Sequence, residues 1–186
     1  MTDTQKKPLW KNELVWLFLL TSGLFAILYS KFILGGYAYV FTDTGADTMQ
    51  INYAQYGLFS SLFRSGESGY VLQAGLGMDV SSYYPAYLIP YNLLILLAPQ
   101  RLLPWAVLAS AYLKMITISL VGYLFYRKLM QDGIGTMAAA LAWTFSGYVI
   151  LWGQHYGFCT CMALFTVFMY FLQCYLNGEQ RWKSAG

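Results

Sequence analysis

The chain has 186 residues, of which 58% are hydrophobic and only 10% are charged, and its formal net charge is +3. Because a soluble domain carries roughly a quarter charged residues, this composition excludes an ordinary water-soluble domain. The few basic residues lie beside apolar stretches, so they indicate membrane topology and exclude a nucleic-acid-binding face. The sequence therefore predicts an all-α integral membrane protein.

Four apolar stretches approach the length of about 20 residues that a spanning helix needs. They are residues 14–34, 105–126, 134–152 and 158–176. Lys31 lies near the end of the first stretch, where a long side chain can reach the membrane interface. Although Lys6, Lys7 and Lys11 precede this stretch as in a signal peptide, it is too long and lacks a cleavage site. We therefore predict four transmembrane helices, the first a retained anchor.

The proline-containing stretch 84–99 decides the topology, because it is short for a spanning helix. If it does not span, most basic residues fall on the side of the two termini, as the positive-inside rule requires. If it spans, Arg127, Lys128, Arg181 and Lys183 are left outside. We therefore predict that both termini are cytoplasmic. The domains are then cytoplasmic tails 1–13 and 177–186, and an external loop 35–104 with interfacial helices 47–63 and 84–99.

Two carboxylates of this loop, Asp43 and Asp47, are four residues apart just beyond the first predicted span. If the segment is helical they share a face, and a carboxylate there can act as a general base on an acceptor hydroxyl. The alternative is that both are helix caps or solvated loop charges, because DTGAD is rich in capping residues. We assign Gln50, Tyr53, Gln55 and Tyr56 to the substrate-facing part of the same loop.

Two further residues are candidates for binding a phosphate. Lys114 is about ten residues inside the second predicted span, where a charge costs about 2.5 to 3.5 kcal/mol unless it meets a polar partner. It can hold an anionic lipid phosphate, or it can be a snorkelling or paired structural lysine. His155, in WGQHYGF at the external end of the third span, is either a second ligand or a hydrogen-bonded interfacial histidine. The topology places both toward the external side.

Other chemistry finds no support in the sequence. Cys159, Cys161 and Cys174 lie in one apolar stretch and are interpreted as small apolar filler. Residues two apart on a helix point to nearly opposite sides, so we predict no metal site there, and no cofactor is implied. The sequence contains no nucleotide-binding loop and no serine nucleophile motif.

A set of stretches occurs in a recognisable order. They read FTDTGADTMQINYAQY, LFRSGESGYVLQAGLGMDVSSYYPAYLIPYNLLILLAP, KMITISLVGYLFYRKLM and AAALAWTFSGYVILWGQHYGF. In this order the chain, over about residues 41–176, resembles the N-terminal part of the bacterial YfhO family of multi-span membrane proteins. That family resembles the GT-C glycosyltransferases, which use polyprenyl-phosphate sugars at the outer face of the cytoplasmic membrane.

The resemblance implies a GT-C-like fold and a glycosyltransferase that modifies lipoteichoic acid or another cell-surface polymer. It also implies that Asp43 or Asp47 is the catalytic base or orients the acceptor. Related enzymes often carry a second aspartate near the external end of the third span, where this chain reads GQHYGFCT, and His155 is the candidate substitute. The family is several times longer, so we expect this chain to be an N-terminal fragment.

Our leading hypothesis is therefore a membrane-embedded inverting glycosyltransferase, with the donor phosphate near Lys114 or His155 and Asp43 or Asp47 acting on the acceptor. Its partners are membrane lipid, a polyprenyl-phosphate-linked sugar donor, a cell-surface polymer and other membrane proteins of the pathway. The alternatives are a transporter or flippase-type component, in which Lys114 lines a translocation path, and a non-catalytic membrane subunit. Broken helices or internal repeats would favour the transporter.

Overall fold

The structure is a computed structural model that describes residues 12–41, 47–67, 69–72, 77–79, 89–130 and 132–179. Three helical stretches are long and apolar enough to cross a membrane, namely Gln100–Leu129, Gly133–His155 and Gly157–Leu176. They coincide with the second, third and fourth predicted spans. The mostly helical architecture expected of a membrane protein is confirmed, while a count of four spans stays a prediction.

The first predicted span is divided into two helices, α1 (Glu13–Leu28) and α2 (Ser30–Leu34). The Asn12 side chain caps α1 by accepting the Leu14 N–H at 3.0 Å. Tyr29 separates the two helices, and its buried ring stacks on Phe25 with 4.4 Å between ring centroids. Because the helix is interrupted at Tyr29, α1 alone has only 16 residues. A fourth span therefore requires α1 and α2 together.

The loop between the first two predicted spans folds onto one end of the helices. A π-helical turn, Thr48–Tyr53, leads into α3 (Ala54–Ser65), where we expected a helix over 47–63. A short antiparallel pair follows, β1 (Tyr70–Val71) with β2 (Met78–Asp79). Buried Phe59, Leu62, Val71 and Leu96 form a small core beneath it. The loop is thus packed against the protein through the inner face of α3.

The second expected interfacial helix, over 84–99, is only partly within the described residues. From Pro90 onward the chain forms a 3-10 turn (Pro90–Asn92), α4 (Leu93–Leu97) and a further 3-10 turn (Gln100–Leu102). Proline lacks an N–H and disfavours helix before it, so Pro90 starts and Pro99 ends the short helical segment. Ser60 Oγ donates to Ala98 O at 2.7 Å and ties this segment to α3.

The central helix is α5 (Leu103–Leu129), which packs against α1. Between them, Thr21 Oγ1 and Ser119 Oγ are buried 2.7 Å apart, and Ser22 Oγ lies 2.8 Å from Tyr112 OH. In lipid the hydrophobic effect does not drive helices together, so close packing of small side chains and interhelical hydrogen bonds stabilise their association. These hydroxyl pairs therefore hold α1 antiparallel to α5.

The third predicted span is not one continuous helix. It consists of α6 (Gly133–Thr144), α7 (Gly147–Trp152) and a 3-10 turn (Gly153–His155). The break lies at Phe145 and Ser146, where Ser146 is extended with ψ 155°. Thr144 Oγ1 donates back to Ala140 O at 2.7 Å, a bond that bends helices. The third predicted span, 134–152, thus lies within a stretch long enough to cross a membrane that has a break inside it.

The last helix, α8 (Gly157–Leu176), lies beside α5 and runs in the same direction. Gly122 of α5 lets Trp143 and Thr166 approach, and Trp143 Nε1 donates to Thr166 Oγ1 at 3.0 Å. At the far end, Lys128 pairs with Glu179 at 2.6 Å. The chain therefore runs up α1, down α5, back up α6 and α7, and down α8, which leaves the turn at 153–157 beside the loop.

Candidate functional site

A cleft of about 410 Å³ opens at the loop end of the bundle, between the π-helical turn and the start of α8. It is lined by Asp47, Ile51, Asn52, His155, Gly157, Phe158 and Cys161. Thr48 Oγ1 donates to Gln154 O at 3.2 Å and joins its two walls. The structure thus brings Asp47 and His155, which are far apart in sequence, into one cleft.

The cleft combines a carboxylate, an imidazole and a helix N-terminus. Asn52 Nδ2 donates to Asp47 O at 3.2 Å and holds the segment that carries the carboxylate. The His155 ring packs between Trp152 and Phe158, with centroid distances of 5.6 and 5.7 Å. Because α8 begins at Gly157, its partial positive charge faces the same space and favours an anion. This arrangement can accept a proton on one side and bind negative charge on the other.

An apolar groove of about 530 Å³ adjoins the cleft where the helix break meets α8. It is lined by Trp143, Ser146, Tyr148, Cys161, Met162 and Phe165. Cys161 lines both spaces, so the polar cleft and the apolar groove are neighbours. A ligand with a polar head and a hydrocarbon tail matches this pair of environments.

Lys114 lies apart from the cleft. It is 2% exposed, and Nζ donates to Tyr156 O at 3.2 Å. Its cavity of about 10 Å³ has room for about one water, and a phosphate does not fit there in this conformation. Of the two residues assigned to the donor phosphate from sequence, the structure therefore places only His155 at the cleft.

Tyr156 is a site residue that sequence reasoning missed. It is buried with φ 34°, a positive value that side chains rarely adopt. Its hydroxyl donates to Tyr39 O, and its ring stacks on Tyr56 at 5.4 Å between centroids. Burial raises the pKa of the neighbouring Tyr39 phenol, which keeps that hydroxyl protonated. The glycines around WGQHYGF signalled a turn, but nothing in the sequence indicated which residue takes the strained conformation.

The remaining predicted residues lie away from the cleft lining. Gln50 is exposed, Tyr53 and Gln55 are half-buried, and none of them lines the cleft. Tyr56 is buried, with its hydroxyl 3.4 Å from Asn92 Oδ1, and it lines the small cavity beside Lys114 instead of the cleft. Asp43 lies outside the described residues.

Among residues 12–41, 47–67, 69–72, 77–79, 89–130 and 132–179, no three His, Cys, Asp or Glu side chains come together as a metal site. Comparisons with protein-family models, curated proteins and solved structures found no match to this chain.

Proposed function

We propose that the chain forms part of a membrane-embedded glycosyltransferase of the GT-C type. In this proposal it transfers a sugar from a polyprenyl-phosphate donor to a cell-surface polymer such as lipoteichoic acid. The observation that carries it is the cleft that Asp47 and His155 share, with an apolar groove adjoining at Cys161. A lipid-linked phosphate sugar needs both environments within reach of one reaction centre.

The chemistry assigned to the cleft is a single displacement. The acceptor hydroxyl oxygen attacks the anomeric carbon, and the bond from that carbon to the phosphate oxygen breaks. Asp47 takes the hydroxyl proton as general base, while the polyprenyl phosphate leaves with the bonding electrons. His155 and the N-terminus of α8 face the developing phosphate charge. No metal ion is needed for this step.

The setting of the proposal is the cytoplasmic membrane, with four spans, both termini cytoplasmic and the cleft external. Donor lipid would approach through the groove between α7 and α8, because the donor tail and the groove are both apolar. The acceptor polymer would approach from the loop side, past Asp47. Either Asp43 or Asp47 can act on the acceptor in this scheme, and only Asp47 is among the described residues.

The test is sugar transfer from a panel of polyprenyl-phosphate hexoses by the full chain and its variants. We expect Asp47→Asn to lower the rate at least about 100-fold, because a positioned general base contributes roughly that much. Asp79→Asn is the matched control, since Asp79 lies in β2 of the same loop, outside the cleft lining. Full activity in both Asp47→Asn and Asp43→Asn would exclude the general-base role.

A second candidate function is transport of a lipid-linked substrate. The observation that favours it is the break between α6 and α7 at Phe145 and Ser146, since discontinuous helices line substrate paths in transporters. Reconstituted vesicles separate the two functions. Movement of a fluorescent polyprenyl phosphate across the bilayer, with no sugar transferred, would favour the transporter over the glycosyltransferase.

A further inference from the structure

The wall between the cleft and the Lys114 cavity is a single chain segment, residues 153–161. Its residues alternate between the two spaces. Gly153, Tyr156 and Cys159 line the cavity, whereas His155, Gly157, Phe158 and Cys161 line the cleft. Lys114 Nζ contacts this wall at Tyr156 O, 3.2 Å away. An outward movement of its first part, the turn at residues 153–157, relative to Cys159 in α8 would therefore join the two spaces.

The charge of Lys114 has little compensation in the closed structure. Its ammonium carries three N–H groups, and the described part of the chain offers them the Tyr156 carbonyl. That carbonyl also accepts from Thr160 Oγ1 at 3.3 Å. Among the residues that the structure describes, no carboxylate lines the cavity. A cation inside a span that lacks a counter-charge marks a site where a ligand or partner meets it.

The wall is held closed by contacts that oppose backbone strain. The Tyr156 hydroxyl donates to Tyr39 O, and the ring stacks on Tyr56. Against them stands the φ of 34° at Tyr156, which a residue with a side chain adopts only at an energetic cost. Gly153 and Gly157 flank the strained residue and allow the backbone to change. The strain at Tyr156 therefore lowers the free energy needed to open this turn.

We propose that the turn at residues 153–157 is a lid over Lys114, and that an anionic headgroup entering the cleft opens it and pairs with the Lys114 ammonium. The N-terminus of α8 attracts the same charge from the cleft side, because α8 begins at Gly157. The ligand is the phosphate of a lipid. That identity rests on the proposed function, whereas the lid rests on the geometry of the wall.

A disulfide can lock the lid. A Cβ added at Gly153 would lie 3.2 Å from the Tyr39 hydroxyl, which must shift slightly, and 3.5 Å from Cys159 Sγ, within reach of a disulfide after oxidation. We therefore expect Gly153→Cys to be joined to native Cys159 and to fix the turn closed. The matched control is Gly153→Cys with Cys159→Ser, which carries the same substitution in the wall and cannot form this bond.

The probe is farnesyl phosphate, with farnesol as its uncharged counterpart, added to the purified chain in phosphatidylcholine nanodiscs. We expect oxidation of Gly153→Cys to weaken farnesyl phosphate binding at least about 10-fold, since a tenfold change corresponds to loss of one charge-assisted contact. Dithiothreitol should restore it, and farnesol binding should stay unchanged. Lys114→Met should lose phosphate binding to the same extent, whereas Lys114→Arg should keep most of it.

Equal farnesyl phosphate binding by the oxidised and reduced forms would overturn the lid. Equal binding by Lys114→Met and the unsubstituted chain would overturn the pairing, whether or not the disulfide forms. No binding of farnesyl phosphate by the reduced protein would overturn the anion site. A sugar-transfer assay separates this inference from the proposed function. If the rate of transfer is the same in the oxidised and reduced forms, the lid is excluded and the glycosyltransferase is not. If oxidation weakens farnesyl phosphate binding but no sugar is transferred, the glycosyltransferase is excluded and the lid is not.

Discussion

The two ends of the helix bundle differ in how their polar groups are paired. At the end where the described chain begins and finishes, Glu13, Lys128, Asp132 and Glu179 all have short-range partners. Lys128 pairs with Glu179 at 2.6 Å, the Tyr123 hydroxyl donates to Glu13, and Asp132 caps α6 through two backbone N–H groups. Partners of this kind stabilise helix ends and leave little capacity to bind anything else.

The loop end keeps polar groups that the fold does not satisfy. Lys114 is buried against one carbonyl, and Ser110 Oγ and Ser146 Oγ are buried without a hydrogen-bond partner in the described structure. Tyr156 adds a strained backbone conformation. Sequences violate the rules of stability mainly where function demands it. The loop end, where the proposed site lies, is thus the end at which described polar groups remain unsatisfied, whereas the opposite end serves as scaffold.

The largest stability effect is expected in the scaffold, at Gly122. A Cβ there would lie 3.6 Å from Trp143 Cδ1 and 3.8 Å from Thr166 Cγ2, which is ordinary contact for one methyl group. Gly122→Leu overfills this site and should destabilise the bundle by about 1 to 3 kcal/mol. Unfolding by SDS in mixed micelles measures the change. Gly122→Ala is the control and should be tolerated. Unchanged stability in Gly122→Leu would mean that helix packing here is not close.

Composition and hydrophobic length alone predicted the helical membrane architecture and the positions of three long helices. What they could not predict were the two interruptions, at Tyr29 and at Phe145 to Ser146. Both lie inside apolar stretches that contain no proline, the residue that most clearly marks a helix break in a sequence. At the first break the Tyr29 ring stacks on Phe25, and just before the second Thr144 Oγ1 donates to Ala140 O; hydropathy carries no record of either contact.

The candidate site was predicted in part. The charge asymmetry that fixed the expected topology put Asp47 and His155 at the same end, and they share a cleft. Charge asymmetry could not predict that the turn at residues 153–157 covers Lys114. The position of a residue along a helix does not indicate which neighbouring segment covers its side chain. Tyr56 was assigned to substrate for the same reason, although it stacks on Tyr156 in the core.

Two serines of α5 sharpen the comparison between the ends. Ser119 Oγ lies 2.7 Å from Thr21 Oγ1, whereas Ser110 Oγ is buried without a partner in the described residues. Ser119→Ala should cost about 0.6 to 1.7 kcal/mol, the range of hydrogen bonds between helices in lipid. Ser110→Ala should cost nothing or stabilise, because it removes an unsatisfied hydroxyl. The same SDS titration compares them, and equal losses would argue against an unsatisfied loop end.

The smallest effect separates the two lysines of α5. Lys128 and Glu179 are partly exposed, with 15% and 30% of their side chains accessible, so a double-mutant cycle should give a coupling of at most about 1 kcal/mol. Lys114→Met should leave stability unchanged or higher, because a buried ammonium without a counter-charge costs more than its one hydrogen bond returns. If Lys114→Met instead destabilises the protein more than Lys128→Met, then Lys114 belongs to the scaffold. The phosphate that enters the cleft would then have to pair with a different positive charge.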